Sequence, residues 1–204
     1  MTSAVGGGPS SERPTRNTRP TRADARRNRA HIVEIAEQVF ASEGLEVSMD
    51  AVAKRAGVGA GTLYRHFPTR DALVAGVLEG RQPDLSAEAA AIEKEASDSG
   101  AALERWLDAV TRWMTAYEGL PEPLRTALGE QDSPLRLTCQ EVIDTTGAFL
   151  KAAQEDGLAR KGLTGRNLYL ATLSMAWAQG TPSADGSTGQ ELGDLLRSGW
   201  RVDS

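Results

Sequence analysis

Residues 48–67 read SMDAVAKRAGVGAGTLYRHF and run directly into PTRDAL at residues 68–73. Met49, Val52, Ala53 and Ala56 recur at spacings of three and one, which marks the buried face of a short helix. Ser48 stands where an N-cap belongs, its hydroxyl able to accept from a first-turn amide, and Asp50 sets a carboxylate beside the positive end of the helix dipole. Gly57 follows the last periodic residue and offers the left-handed backbone that stops a helix. After Val58 returns to the core, Gly59, Ala60 and Gly61 leave almost no side-chain bulk at the start of a second short helix. Leu63 and Phe67, four apart, face inward, which leaves Ala60, Thr62, Tyr64, Arg65 and His66 outward.

Two short helices crossed at a tight turn are what a helix-turn-helix requires: the second enters a major groove while the first braces it. The outward set supplies a methyl, a hydroxyl, a phenol, a forked guanidinium and an imidazole, all suited to phosphates or base edges. On the bare motif, a surface helix with ordinary polar side chains competes with this reading.

Upstream, Ile32, Ile35, Ala36, Val39 and Phe40 line one face of a helix expected over residues 23–42, with Gly44 as its stop. It completes a three-helix core. Downstream, Thr69 is placed to cap a further helix with Leu73, Val74, Val77 and Leu78 inward, the natural link to whatever follows.

This stretch resembles the DNA-binding domain of the TetR family of transcriptional regulators. The family's F-x-x-x-G, A-x-x-A-G-V and T-L-Y-x-H-F elements stand here as Phe40 to Gly44, Ala53 to Val58 and Thr62 to Phe67, with Arg70 before Leu73 in place of a lysine. The likeness covers roughly residues 26–78. Carried over position by position, it implies that Ser48, Gly59, Ala60, Gly61, Thr62, Tyr64, Arg65, His66 and Arg70 lie against DNA. Arginine at position 70 keeps the charge of the family's phosphate-holding lysine and adds a bidentate option. Met49 departs from the polar residues common near its position, so no contact is assigned to it. The implied fold is all-α, with an N-terminal three-helix head joined by a linking helix to a C-terminal helical bundle for ligand binding and dimerisation. The domain division expected is a tail at 1–21, a head at 22–81 with its motif at 48–67, and a body at 82–204.

Charge follows that division. The 204-residue chain carries a net charge of −5, an odd sign for a DNA binder. Up to Arg81, however, twelve Lys and Arg face nine Asp and Glu, so the positive balance sits with the motif and the acidic excess with the body. The tail is rich in Gly, Pro, Ser, Thr and Arg and repeats Arg-Pro-Thr-Arg at 13–16 and 19–22; it reads as a disordered segment, either a solvated tail or an arm that tracks phosphates or enters a minor groove.

The body continues as helices. Residues 83–100 are Ala- and Glu-rich and either extend the linking helix or form a mobile segment. Leu103, Trp106, Leu107, Val110, Trp113, Met114 and Tyr117 form one stripe of a long helix. Pro121 and Pro123 open a short helix, and Ser133 and Pro134 precede another that carries Cys139, Val142, Ile143, Phe149 and Leu150 inward as far as Gly157. Residues 168–178 hold no charge and need cover on nearly every side; Leu192, Leu195, Leu196 and Trp200 stripe a last helix. A single chain of this length has trouble burying both, which, with the family's habit, implies a homodimer through roughly residues 165–201. Residues 180–189 between them read as a flexible loop.

Both histidines, His31 and His66, fall in the head, so the body has no imidazole base or ligand; no enzyme, metal or cofactor is expected. Cys139 is alone and reads as a buried structural thiol. Trp106, Trp113, Met114, Tyr117, Met175 and Trp177 supply the walls of a small-molecule pocket for an apolar or aromatic effector, although a core without ligand uses the same residue types. No apolar run reaches the roughly 20 residues that span a bilayer, nor is there the apolar core of a signal peptide. The expected protein is therefore a cytoplasmic, ligand-responsive repressor on double-stranded operator DNA. The rival is an all-helical carrier or enzyme whose bundle binds no DNA.

Overall fold

The computed structural model describes residues 22–181 and 183–202, apart from the side chains of residues 82 and 83. The expected arginine-bearing arm, residues 1–21, lies outside the described residues. Those residues form nine helices: α1 (Arg22–Glu43), α2 (Met49–Arg55), α3 (Ala60–His66), α4 (Arg70–Glu95), α5 (Ser99–Met114), α6 (Pro121–Ala127), α7 (Arg136–Glu155), α8 (Gly165–Gln179) and α9 (Thr188–Trp200).

Helix ends follow local chemistry. The hydroxyls of Ser48 and Thr69 accept from the amides of Ala51 and Ala72, each at 3.1 Å, and cap α2 and α4. Gly44 and Gly57 adopt φ of +73° and +64°, the left-handed turn that stops α1 and α2. Asp98 caps α5 at 2.8 Å from the Ala101 amide, and Thr164 with Asn167 forms a reciprocal capping box on α8.

In the head, α1, α2 and α3 close over Ile32, Phe40, Val52, Leu63 and Phe67, all essentially inaccessible to water. A Cβ on Gly76 would sit 2.9 Å from the Phe67 ring, so this glycine lets α4 pass close to the end of α3. Residues 83–95 extend the linking helix without a break, and only residues 96–98 separate α4 from α5. The boundary expected at residues 81 and 82 thus falls inside one continuous helix.

Helix α5 is the centre of the body, packed against α4, α7 and α8. The Trp106 indole N–H donates to Thr146 Oγ1 at 2.9 Å and its ring stacks on Phe149 at 5.3 Å. Helices α7 and α8 meet backbone to backbone: a Cβ on Gly165 would lie 2.5 Å from the Gly147 nitrogen and 2.6 Å from the Ile143 carbonyl. The end of α9 is held by buried Trp200, whose carbonyl accepts from the Arg160 amide at 2.8 Å, and by a Val202 to Leu158 backbone bond of 3.1 Å.

Two sequence expectations need correction. Tyr117 lies beyond the end of α5 at Met114, in a turn rather than on the helix. The end of the 180–189 stretch belongs to α9, which opens at Thr188, and just before it the Asp185 carboxylate accepts from the amides and hydroxyls of Ser187 and Thr188. Of the α9 stripe, Trp200 is buried within the single chain and Leu195 is 68% exposed. The uncharged α8 also leaves Leu170 and Trp177 exposed in the single chain.

Candidate nucleic-acid interface

The inner face of α3 is fixed by Leu63 and Phe67, with the Arg29 guanidinium 5.0 Å over the Phe67 ring and bonded to Glu79. That clamp turns the opposite face to solvent. Ala60, Gly61, Tyr64 and Arg65 are exposed, Tyr64 by 44%, while Thr62 and His66 are half-buried. Ser48 is exposed at the start of α2, with its hydroxyl engaged as the cap. Arg70, half-buried at the start of α4, has one guanidinium nitrogen, Nη1, buried without a hydrogen-bond partner.

A Cβ on Gly59 or Gly61 would meet nothing within 4 Å, and neither residue has positive φ. Nothing inside the fold accounts for their smallness, unlike Gly76 or Gly165. What such glycines permit is close approach by something outside the chain.

Ion pairing sorts the head's cations. Arg27 is paired with Asp24, Arg29 with Glu79 and Arg55 with Glu43. Arg22, Arg26, Lys54, Arg65 and Arg70 have no ion pair among the described residues, and Arg81 is bonded to the Tyr117 hydroxyl; of the unpaired cations, Lys54, Arg65 and Arg70 lie on α2, α3 and the start of α4. Lys54 was not singled out by sequence reasoning; only its unpaired state marks it.

The six residues expected to wall an effector pocket do not converge. Trp106 and Met114 are packed in the core, at 2% and 0% exposure. Trp113 borders a groove between α4 and α5, its indole N–H buried without a partner. Met175 borders a narrow cleft against α9. Tyr117 and Trp177 alone share a cavity, of about 500 Å³, between the turn after α5 and the end of α8. Trp106 filled the core instead, because stacking on Phe149 and the hydrogen bond to Thr146 of α7 satisfied it there.

Sequence reading also missed the joint between head and body. The Tyr117 hydroxyl accepts from Arg81 Nη1 at 3.2 Å and donates to Glu37 at 3.3 Å, and its ring meets Phe40 edge-on at 6.2 Å. The Leu45 amide donates to the Glu118 carbonyl at 2.9 Å. Burial pushes the Tyr117 phenol above its ordinary value, so it stays protonated as the donor to Glu37. No local spacing connects partners 36 and 80 residues apart.

Among the described residues no group of three His, Cys, Asp or Glu could hold a metal ion, and no helix is long and apolar enough to cross a membrane.

An all-helical chain with this head is a DNA-binding regulator in architecture, and comparison with known proteins specifies it. Residues 32–77 match the family described as bacterial regulatory proteins, tetR family, and residues 98–202 match the C-terminal domain of regulators described as SbtR-like. A TetR transcription regulatory protein from Mycobacterium vanbaalenii is 34% identical, with 89% of this chain and 99% of that one covered at a TM-score of 0.50. A TetR transcriptional regulator from Streptomyces coelicolor is 28% identical over 86% of this chain and 99% of its own, with a TM-score of 0.57. An HTH-type transcriptional regulator of Staphylococcus aureus strain USA300 is 51% identical over 53 residues, 26% of this chain. The chain spans 29% of the length of the curated relatives it matches. The protein belongs to the TetR family of DNA-binding transcriptional regulators, a family of regulators rather than enzymes whose members bind operator DNA and dimerise.

Proposed function

We propose that this regulator acts as a homodimeric repressor that holds a near-palindromic operator and leaves it when a small molecule occupies the body. The observation that carries the DNA-reading face is α3 itself: Gly59 and Gly61 have empty surroundings, and Tyr64 and Arg65 stand free of the core. Two copies of α3 held by a two-fold axis enter successive major grooves about 34 to 36 Å apart. Ser48, Tyr64 and Arg70 contact phosphates; Ala60, Thr62, Arg65 and His66 discriminate bases. The residue 22–81 head reads DNA and the residue 82–204 body dimerises and binds effector, in the cytoplasm.

Leu170 and Trp177 on α8 and Leu195 on α9 support the dimer, because a lone chain leaves these large apolar groups in water. An effector acts through its different affinity for two dimer shapes, with about 1 to 3 kcal/mol the usual coupling. Selection on randomised duplexes followed by footprinting tests the reading: the expected result is two symmetric half-sites one helical turn apart. Replacing Tyr64 and Arg65 together with alanine is expected to remove sequence preference while the circular dichroism spectrum stays unchanged. Retained preference in that variant overturns the assigned face.

A further inference from the structure

The groove between α4 and α5 has a volume of about 230 Å³, below the range of drug-sized ligand sites, so only a compact occupant fits. Among the described residues its walls come from α4 and α5, and none from α8 or α9, the helices proposed for dimerisation. Leu85 and Trp113, both buried, supply apolar surface, and the chain offers no acceptor to the buried Trp113 indole N–H. Four charged side chains border the groove as two unlike pairs. Glu88 of α4 and Arg112 of α5 neutralise each other in an ion pair. Arg81, half-buried, and Asp84, exposed, attract each other through space, yet neither has an ion pair among the described residues. Three residues apart on α4, they set a positive and a negative group on one side of the helix. A ligand with a single charge gains from one of them and is opposed by the other, whereas a ligand that carries both signs gains from both.

Arg81 connects this groove to the head. Its Nη1 donates to the Tyr117 hydroxyl at 3.2 Å, and its guanidinium lies 5.5 Å over the Tyr117 ring. Tyr117 in turn donates to Glu37 of α1 and meets Phe40 edge-on. A carboxylate accepts from a guanidinium more strongly than a neutral phenol does, and so competes with Tyr117 for Arg81. Its arrival takes one polar member out of the joint between head and body.

We infer that this groove seats a compact zwitterion of the α-amino acid class with an apolar side group, its carboxylate on Arg81 and its ammonium on Asp84, and that binding loosens the head by drawing Arg81 from Tyr117. The inference deepens the effector reading proposed above; it rests on that reading for its consequence, though not for the binding itself.

Phenylalanine, hydrocinnamate and phenethylamine share one skeleton and differ in the charges that they carry, both, negative only and positive only, which makes them the probes. Titration calorimetry on the full chain is expected to show saturable binding of phenylalanine, about tenfold tighter than of either singly charged compound. Arg81→Gln is expected to abolish the preference over phenethylamine and keep the one over hydrocinnamate, and Asp84→Asn to do the reverse. No saturable binding of phenylalanine, equal affinity for the three compounds, or preferences that these two substitutions leave unaltered or change alike overturns the site. Phenylalanine is further expected to lower occupancy of the selected operator fragment, an effect absent in Tyr117→Phe, which keeps the ring and lacks the hydroxyl. Unchanged occupancy at saturation, or an undiminished effect in Tyr117→Phe, overturns the coupling. If the protein without any ligand distinguishes no DNA sequence, the regulator reading is what fails, and the calorimetric result stands apart from it.

Discussion

Gly165 in the body and Gly61 in the head are the same residue in opposite surroundings. At Gly165 a Cβ would strike backbone atoms of α7 at 2.5 Å, whereas at Gly61 it would meet nothing within 4 Å. The contrast extends to the regions around them. Two aromatic residues of the body are accounted for by what they touch inside the chain: Trp106 by Thr146 and Phe149, and buried Trp200, whose carbonyl accepts from the Arg160 amide. Outward residues of α3 have no such account. A residue whose identity the fold explains speaks for stability; the outward residues of α3 are left for the DNA-reading role proposed above.

The largest effect that sharpens this comparison is expected at Trp106. Trp106→Ala removes a buried ring and its hydrogen bond to Thr146, whose hydroxyl still donates to the Val142 carbonyl, so unfolding by urea is expected to register a loss of about 4 kcal/mol. Gly165→Ala comes next, at about 3 kcal/mol, because both clashing partners are backbone and cannot rotate away. Gly61→Ala is its counterpart: folding stability unchanged or raised by up to about 1 kcal/mol through helix propensity, with operator affinity reduced. Should Gly61→Ala destabilise the fold and spare DNA binding, the distinction between the two glycines breaks.

Ser48→Ala is smaller, about 1 kcal/mol from the lost cap on α2, read as a shift of the urea midpoint. The smallest concerns Cys139. Burial raises its thiol above the ordinary value, so the folded chain keeps it neutral while the unfolded chain ionises near pH 8.5. Stability from this group is therefore present below that pH and declines as pH climbs past it. Cys139→Ser is expected to flatten the decline between pH 8 and 10, and the native thiol to react slowly with alkylating reagents until urea is added.

Much of the head was legible because its signals are local. A cap lies three residues from the amide that it satisfies, as Ser48 and Thr69 do, and a stop glycine adjoins its helix, as Gly44 and Gly57 do. Apolar spacing put Leu63 and Phe67 inside and Tyr64 outside. In the body the same periodicity reported that Trp106, Trp113 and Tyr117 are buried but not what covers them. The Trp106 to Thr146 bond, the Gly147 to Gly165 crossing and the Glu37, Tyr117 and Arg81 joint are set by chain segments far apart in sequence. Hydrophobic spacing carries no information about such pairings, which is why six candidate pocket residues dispersed over several sites.

Helix α4, 26 residues without interruption, has a length of about 39 Å. Its stiffness makes it a lever: a swing of about 5° about its Glu95 end sweeps its Arg70 end by about 3 Å. In a symmetric pair the two sweeps add in opposite directions, to about 6 Å, nearly two base-pair steps of 3.4 Å. In the homodimer proposed above, a motion too slight to unseat any core side chain is thus enough to put the two α3 helices out of phase with a duplex.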